Sequence, residues 1–337
     1  MQRPISNPPN PWLTRHVEWL EEPPPAELVV YEEAAKSVLT ENDSPDVGFR
    51  WSVNPYRGCQ HACSYCYARP GHQYLGFGAG TDFDRRIVVK VNAAEVLALE
   101  LARRSWKRET VAFSGSTDCY QPLEASYELT RGCLEVCLAR RTPVGIITKS
   151  ALIRRDVDVL AKLAARCGAR VTISIPFLDD EVGRKMEPGA SSPNKRFETL
   201  RILSDAGIPT GIAIAPLIPG LNESDVPRLL ERARECGATS AFMALLRLPA
   251  EVLPVFRERL TDSFPERAKK VESAILDMRD GRMNRSEFGS RMSGSGARWD
   301  AVEKLFEIQC RRLGLNETEP RALEPREPAS RQGDLFA

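Results

Sequence analysis

The stretch Asn54-Pro55-Tyr56-Arg57-Gly58-Cys59-Gln60-His61-Ala62-Cys63-Ser64-Tyr65-Cys66-Tyr67 decides how the rest of the chain is read. Three cysteines, Cys59, Cys63 and Cys66, fall within eight residues. They follow a short run, Phe49–Val53, that reads as a strand, so they sit on a loop at its end. Thiolates are the natural ligands of iron–sulfur clusters, and three on one loop can hold three irons of a [4Fe-4S] cube. The fourth iron is then free for a small molecule. Gly58 lets the backbone approach such a group closely. A structural zinc site needs four ligands, often in two separated pairs. Here only His61 and His72 are nearby candidates for a fourth, and no second cysteine pair follows.

Working outward, strands and helices alternate from about Gly48. Candidate strands are Phe49–Val53, Thr110–Ser114, Val144–Thr148, Arg170–Ile175, Thr210–Ala215 and Ser240–Leu246. Most are short apolar, β-branched runs, as expected of parallel strands covered on both faces. Between them, Val226, Leu229, Leu230 and Ala233 repeat along one helix face, and Val157, Leu160, Leu163 and Ala164 do so on another. Gly168 and Gly207 read as C-terminal stops. This is an α/β chain, either a βα barrel, complete or partial, or a doubly wound sheet; the alternation alone does not choose. The division expected is an irregular N-terminal arm over residues 1–47 with one short helix near Tyr31–Leu39, and a βα unit over 48–250. A helical extension over 251–315 and a flexible tail over 316–337 complete it.

The chain has 337 residues and a net charge of +1, so no global field points to nucleic acid. The apolar runs are too short to cross a bilayer, and the proline-interrupted N-terminus has no apolar signal core, so a cytoplasmic protein with no membrane contact is expected. Nine cysteines, an odd number without a secretion signal, argue against a disulfide framework.

The spacing Cys-x3-Cys-x2-Cys, with an aromatic just before the third cysteine, is similar to the signature of radical S-adenosylmethionine enzymes. Lys36–Phe83, with Asn42-Asp43-Ser44-Pro45 and Tyr67-Ala68-Arg69-Pro70, resembles the photolyase-like branch, a relative of spore photoproduct lyase. The resemblance extends over about residues 30–250. It implies a partial (β/α)6 barrel, with C-terminal helices appended here. It implies a [4Fe-4S] cluster on Cys59, Cys63 and Cys66 whose free iron chelates S-adenosylmethionine. Reductive cleavage then yields a 5′-deoxyadenosyl radical that abstracts hydrogen from a substrate. An electron donor such as flavodoxin or ferredoxin is implied as partner.

Chemistry in such barrels gathers at the C-terminal ends of the strands. By position, Ser116, Thr117 and Asp118 would accept from the cofactor's amino group, unless they form a polar turn capping the helix from Glu124. Lys149 would meet its carboxylate or ribose. Ser174, a hydroxyl in an apolar run, would bind the ribose or bond a neighbouring carbonyl. Of Arg184, Glu187 and Arg196, the last is the first choice for the cofactor carboxylate. Ile214–Asn222 would lie near the adenine, with Tyr65 packed beside it, and Tyr67 is either a packing aromatic or part of a radical relay. In the lyase a cysteine on the second strand returns hydrogen to the product; the matching slot here is Gly115. Cys119, four residues later, is the candidate substitute, with a small core residue as its other reading. Cys133, Cys137, Cys167, Cys236 and Cys310 fall on helix faces and read as core.

Three functions remain open: radical modification or repair of nucleic acid, radical chemistry on a peptide or small molecule, and a zinc-stabilised interaction module. The tail ends Gln332-Gly333-Asp334-Leu335-Phe336-Ala337. Gln332, Asp334, Leu335 and Phe336 are similar to short peptides that dock on the bacterial sliding DNA clamp, which would favour a DNA substrate.

Overall fold

The computed structural model describes residues 27–317. The clamp-docking reading of Gln332, Asp334, Leu335 and Phe336 lies outside them. Among the described residues the strands are β1 (Val29–Glu33), β2 (Leu39–Glu41), β3 (Trp51–Val53), β4 (Tyr56–Arg57), β5 (Arg86–Lys90), β6 (Val111–Phe113), β7 (Val144–Thr148), β8 (Ala169–Ser174), β9 (Thr210–Leu217) and β10 (Ser240–Leu245). The main sheet runs β10-β9-β8-β7-β6-β3-β2. From β3 to β10 every pair is parallel, and only β2 joins its edge antiparallel. A doubly wound sheet reverses its strand order partway. Here the order follows the chain without reversal, so each crossover advances the sheet in one direction. This is the partial (β/α)6 barrel.

Helices follow the strands and bury one stripe each. In the helix Val157–Arg166, Val159, Leu160 and Leu163 are buried while Lys162 is not. In Val226–Glu235 the buried set is Val226, Leu229, Leu230 and Ala233, the period expected. Gly168 and Gly207 end their helices with φ of 103° and 75°. The helices Val252–Ser263, Pro265–Asp277 and Gly296–Arg312 complete the C-terminal part. No helix among the described residues is long and apolar enough to cross a membrane.

Two expectations are corrected. No helix forms near Tyr31–Leu39; β1 and β2 lie there instead. Val29-Val30-Tyr31 pairs in parallel with Arg86-Ile87-Val88, a partner 57 residues away that local sequence cannot reveal. Together β1, β5 and β4 make a second, three-stranded sheet. Nor are all the barrel strands covered equally on both faces: β6 and residues 210–214 of β9 are buried throughout, but β7 and β8 are not. On β7, Val144, Ile146 and Thr148 are buried against the helices, whereas Gly145 is half-buried and Ile147 is 37% exposed. On β8, Val171 and Ile173 are buried while Arg170 and Thr172 are not. On β7 and β8 the inner face is therefore open, whereas the helix-facing side is apolar core.

That difference is testable at two adjacent isoleucines. Ile146→Ala, at a 1% exposed position, should destabilise the fold by about 2–5 kcal/mol. Ile147→Ala should cost about 1 kcal/mol or less, because little area leaves water there. Denaturant midpoints measure both, and equal losses would contradict the assignment of faces.

Candidate functional site

The cysteine loop leaves β3 at the C-terminal edge of the sheet and is clamped from two sides. Gly58 adopts φ of +79°, and a Cβ there would stand 2.9 Å from both Ile87 Cδ1 and the Phe83 carbonyl. The close approach lets the Cys59 N–H donate to the Phe83 carbonyl at 2.9 Å. Opposite, a Cβ on Gly189 would fall 1.9 Å from the Gln60 carbonyl. Its N–H donates to the His61 carbonyl at 3.0 Å, and Ser64 N–H donates to the Met186 carbonyl at 3.0 Å.

A third clamp comes from within. Arg69 is fully buried. Its Nε and Nη2 donate to the Cys63 carbonyl at 3.1 and 2.8 Å, and its Nη1 donates to the carbonyls of Ala79 and Gly80. Nη2 also meets the buried Asp84 at 2.9 Å. Burial pushes the Asp84 carboxyl up to about 6, although Arg69 pulls it down. The planar fork of donors explains why arginine is needed: a point charge could not reach four acceptors.

Cys59 and Cys63 are buried and Cys66 half-buried. Burial pushes all three thiols up, and each lies close enough to another to add to that rise or to feel its charge. Three thiolates this close together, two of them buried, would be costly without a cation between them, and iron would supply the compensating charge. Among the described residues no three His, Cys, Asp or Glu side chains converge as ligands of a single metal ion. A cube asks for a different arrangement, in which each thiolate meets its own iron. The residues present fit a [4Fe-4S] cluster.

The strand ends around the loop are tied to one another. Asn54 Oδ1 accepts from Ser116 N–H at 2.9 Å, and Thr117 Oγ1 donates to the Tyr56 carbonyl at 3.1 Å. Ser116 itself is exposed. Asp118 accepts from Thr148 Oγ1 at 2.7 Å, Lys149 N–H at 2.8 Å and Tyr120 N–H at 2.9 Å. His61 Nδ1 stands 3.3 Å from Oδ2, the oxygen that also accepts the Lys149 N–H. Burial would raise the Asp118 carboxyl, but His61 and the bonds from Lys149 and Thr148 hold it well below the usual carboxylate range. Its oxygens thus bind the second and third strand ends together, and it also anchors the cysteine loop through His61.

Lys149 differs from its neighbours. Its ammonium lies 5.9 Å from the Tyr65 ring centroid. No described carboxylate stands within ion-pair distance of it. Burial lowers its pKa, but the nearby Cys63 and Glu187 outweigh that and raise it, so it stays charged.

Tyr65 donates its hydroxyl to Glu187, which is ion-paired with Arg196; all three are buried. Arg196 also donates to the carbonyls of Ser191 at 2.6 Å and Ser174 at 3.0 Å. The structure therefore makes Arg196 the counter-ion of Glu187, and the pair fixes Tyr65. Arg184 is exposed. Ser174 Oγ donates to the Ala215 carbonyl at 3.3 Å, the neighbouring-carbonyl alternative. Cys119 is fully buried in the main core with its thiol 3.2 Å from Ser114 Oγ. Tyr67 is half exposed and donates to the Gly115 carbonyl at 2.7 Å. Cys133, Cys137, Cys167, Cys236 and Cys310 are core residues, as expected. Sequence reasoning missed Arg69 and gave Glu187 no separate role. A buried arginine carries no local signal, since its acceptors are carbonyls of residues brought near only by the fold.

Arg69→Met should destabilise the protein by about 3–5 kcal/mol, because Asp84 then remains buried without its partner. Adding Asp84→Asn should recover part of that loss. Urea unfolding of the four apoproteins of this cycle measures the coupling; additive effects would remove Arg69 from its bracing role.

The Radical SAM superfamily model matches residues 53–233. An uncharacterized protein of Mycobacterium tuberculosis is 39% identical over 244 residues, covering 71% of each chain. The radical SAM Nα-GlyT isomerase of Pseudomonas phage M6 is 27% identical over 235 residues, covering 68% of this chain and 46% of that one. Among solved structures, spore photoproduct lyase complexed with dinucleoside spore photoproduct matches with a TM-score of 0.61 at 16% identity, over 86% of this chain and 80% of the lyase. The fold is thus shared with the lyase, and the three-thiol loop lies inside the matched domain. The chain belongs to the radical S-adenosylmethionine superfamily, whose cofactors are a [4Fe-4S] cluster and S-adenosylmethionine.

Proposed function

We propose that this chain uses radical chemistry to abstract hydrogen from a nucleic-acid substrate. The observation that carries the cofactor half of this reading is Lys149, a half-buried ammonium with no carboxylate within ion-pair distance among the described residues, next to Cys63 and Tyr65. A cluster on Cys59, Cys63 and Cys66 with S-adenosylmethionine bound supplies a 5′-deoxyadenosyl radical after one-electron reduction, from a donor of the flavodoxin or ferredoxin class. Lys149 would hold the methionine carboxylate by a charge-assisted bond. Asp118 orients Lys149 through its backbone. Ser116, exposed on the neighbouring strand end, is available to the amino group, while Thr117 fixes that strand end to Tyr56. Tyr65, locked by Glu187 and Arg196, forms a rigid wall. Ser174 positions the fourth strand end against the fifth.

The surroundings favour a dry site. Cys63 and Tyr65 belong to an apolar cluster with Phe177, Met186, Ile218, Leu246, Leu248 and Phe256, the last from the C-terminal helix Val252–Ser263. Excluding water protects a reactive carbon radical from side reactions. The nucleic-acid half draws support from the lyase, whose bound ligand is a dinucleoside, although identity with it is low. A thymine-dimer repair cycle draws less support. Gly115 occupies the slot of the hydrogen-returning thiol, and the core position of Cys119 suits packing. We infer hydrogen abstraction and leave hydrogen return to another donor.

Reconstituted without oxygen and reduced, the protein should release 5′-deoxyadenosine from S-adenosylmethionine, and an oligonucleotide substrate should accelerate that release. Acceleration by peptides or small metabolites alone would move the substrate to the second class. Cys59→Ala, Cys63→Ala and Cys66→Ala should each abolish both the iron content and the release, and full retention of both in any one of them would contradict the ligand assignment. Lys149→Met should keep its iron but raise the Kd for S-adenosylmethionine about tenfold or more, since a hydrogen bond to a charged group is worth about 1.5–3 kcal/mol. Titration of the cofactor measures this, and an unchanged Kd would take Lys149 out of the site.

A further inference from the structure

The Gly/Ser/Arg-rich link between the last two helices, residues 280–296, folds against the end of β10. Leu245 N–H donates to the Met292 carbonyl at 2.9 Å, and Leu248 N–H donates to Asn284 Oδ1 at 3.0 Å. The packing gathers guanidinium groups from several places in the chain. Arg247 follows β10, Arg279 lies in the turn after the helix Pro265–Asp277, and Arg282, Arg285 and Arg291 lie on the link. Arg247 feels the like charge of Arg291, and Arg279 feels those of Arg285 and Arg247. Three carboxylates answer them: Asp46 pairs with Arg291, Asp280 with Arg285, and Glu287 lies near Arg282 and Arg285. Arg247 and Arg279 have no carboxylate partner among the described residues.

Arg279 is fully buried. Its Nη2 donates to the Leu246 and Arg291 carbonyls, but its Nε and Nη1 are buried without a hydrogen-bond partner, as is Arg247 Nε. Burial and the charges of Arg285 and Arg247 pull the Arg279 guanidinium down to about 10. Like charges crowded out of water are costly unless an anion joins them. The cluster also borders the site. The Arg247 guanidinium carbon lies 5.3 Å from the centroid of the Tyr67 ring, and Tyr67 adjoins Cys66 and donates to the Gly115 carbonyl. Beyond it, Phe288 is 60% exposed with the Arg291 guanidinium 4.5 Å from its ring centroid.

We propose that Arg247 and Arg285, backed by the buried charge of Arg279, form a phosphate-binding wall at the mouth of the barrel, with Phe288 as a stacking platform, and that it holds the phosphodiester backbone of a nucleic-acid strand whose base or sugar faces the cysteine loop. This rests on the reading above and adds the residues that take the substrate. Guanidinium forks match phosphate oxygens, and an exposed aromatic beside an arginine suits an unpaired base. The link confers a local positive surface on a chain of net charge +1.

The test is fluorescence anisotropy of the full-length reconstituted protein with short labelled single-stranded DNA, duplex DNA and RNA of one sequence, over a series of salt concentrations. At least one oligonucleotide should bind, with log K falling linearly with log salt. Replacing Arg279 risks the fold, so the informative changes are at more exposed positions. Arg285→Glu should weaken binding at least about tenfold and flatten the salt slope by about one, the value for one lost phosphate contact. Phe288→Ala should weaken single-strand binding by about fivefold or more with the salt slope unchanged, as loss of stacking requires. Iron content and circular dichroism report whether each variant is folded. A folded Arg285→Glu that binds like the parent, or a parent that binds none of the three oligonucleotides, would overturn the wall. Release of 5′-deoxyadenosine by that same non-binding parent would leave the radical chemistry standing and refute only the phosphate site.

Discussion

The Arg69 guanidinium is the interaction on which the active end of the molecule depends. One buried cation holds the Cys63 carbonyl, the Ala79 and Gly80 carbonyls and the Asp84 carboxylate at once. Without it, the loop would have several buried acceptors unmet, each carrying a desolvation cost. With it, Cys59, Cys63 and Cys66 are presented on a loop that is stiff before any iron arrives. Gly58 and Gly189 matter for the same reason, since any side chain at either position would push the loop off its supports. Preorganisation of this kind holds a cofactor's reactive end in register with its substrate.

The barrel supplies the rest through strand ends that are cross-linked by side chains. Asn54 reaches the second strand end, Asp118 the third, and Arg196 the fourth. The first two links each join a residue from one crossover to the backbone of the next, and the third ties the helix Pro193–Asp205 back to the end of β8. The two buried networks differ in consequence. Asp118 with His61 ties the rim to the cysteine loop, and Glu187 with Arg196 fixes the Tyr65 ring. Lys149 stands between them with its charge unspent.

The cysteine loop was legible because its chemistry is local: three thiols at fixed spacing need no fold to be noticed. The strands β6 to β10 were legible for a similar reason, as apolar runs punctuated by Gly168 and Gly207. What stayed hidden required long-range pairing. The strand Val29–Glu33 depends on Arg86–Lys90, and a helix there was the wrong local guess. Inner and outer faces of β7 could not be told apart from an unbroken apolar run, yet they differ sharply at Ile146 and Ile147. Arg196 was singled out as a charge near the cofactor; its burial against Glu187 and two carbonyls could only come from coordinates. Ser174 and Cys119 each carry two readings on sequence alone; in the fold Ser174 donates to the Ala215 carbonyl and Cys119 packs in the core.

In the proposed site Cys59, Cys63 and Cys66 hold a cluster whose remaining iron receives S-adenosylmethionine beside Lys149. Electron paramagnetic resonance of the reduced, reconstituted protein tests it most directly. The account predicts a [4Fe-4S]⁺ signal whose g-values shift when S-adenosylmethionine is added and whose shift is lost or weakened in Lys149→Met. A cluster signal indifferent to the cofactor, or no cluster signal after full reconstitution, would contradict it.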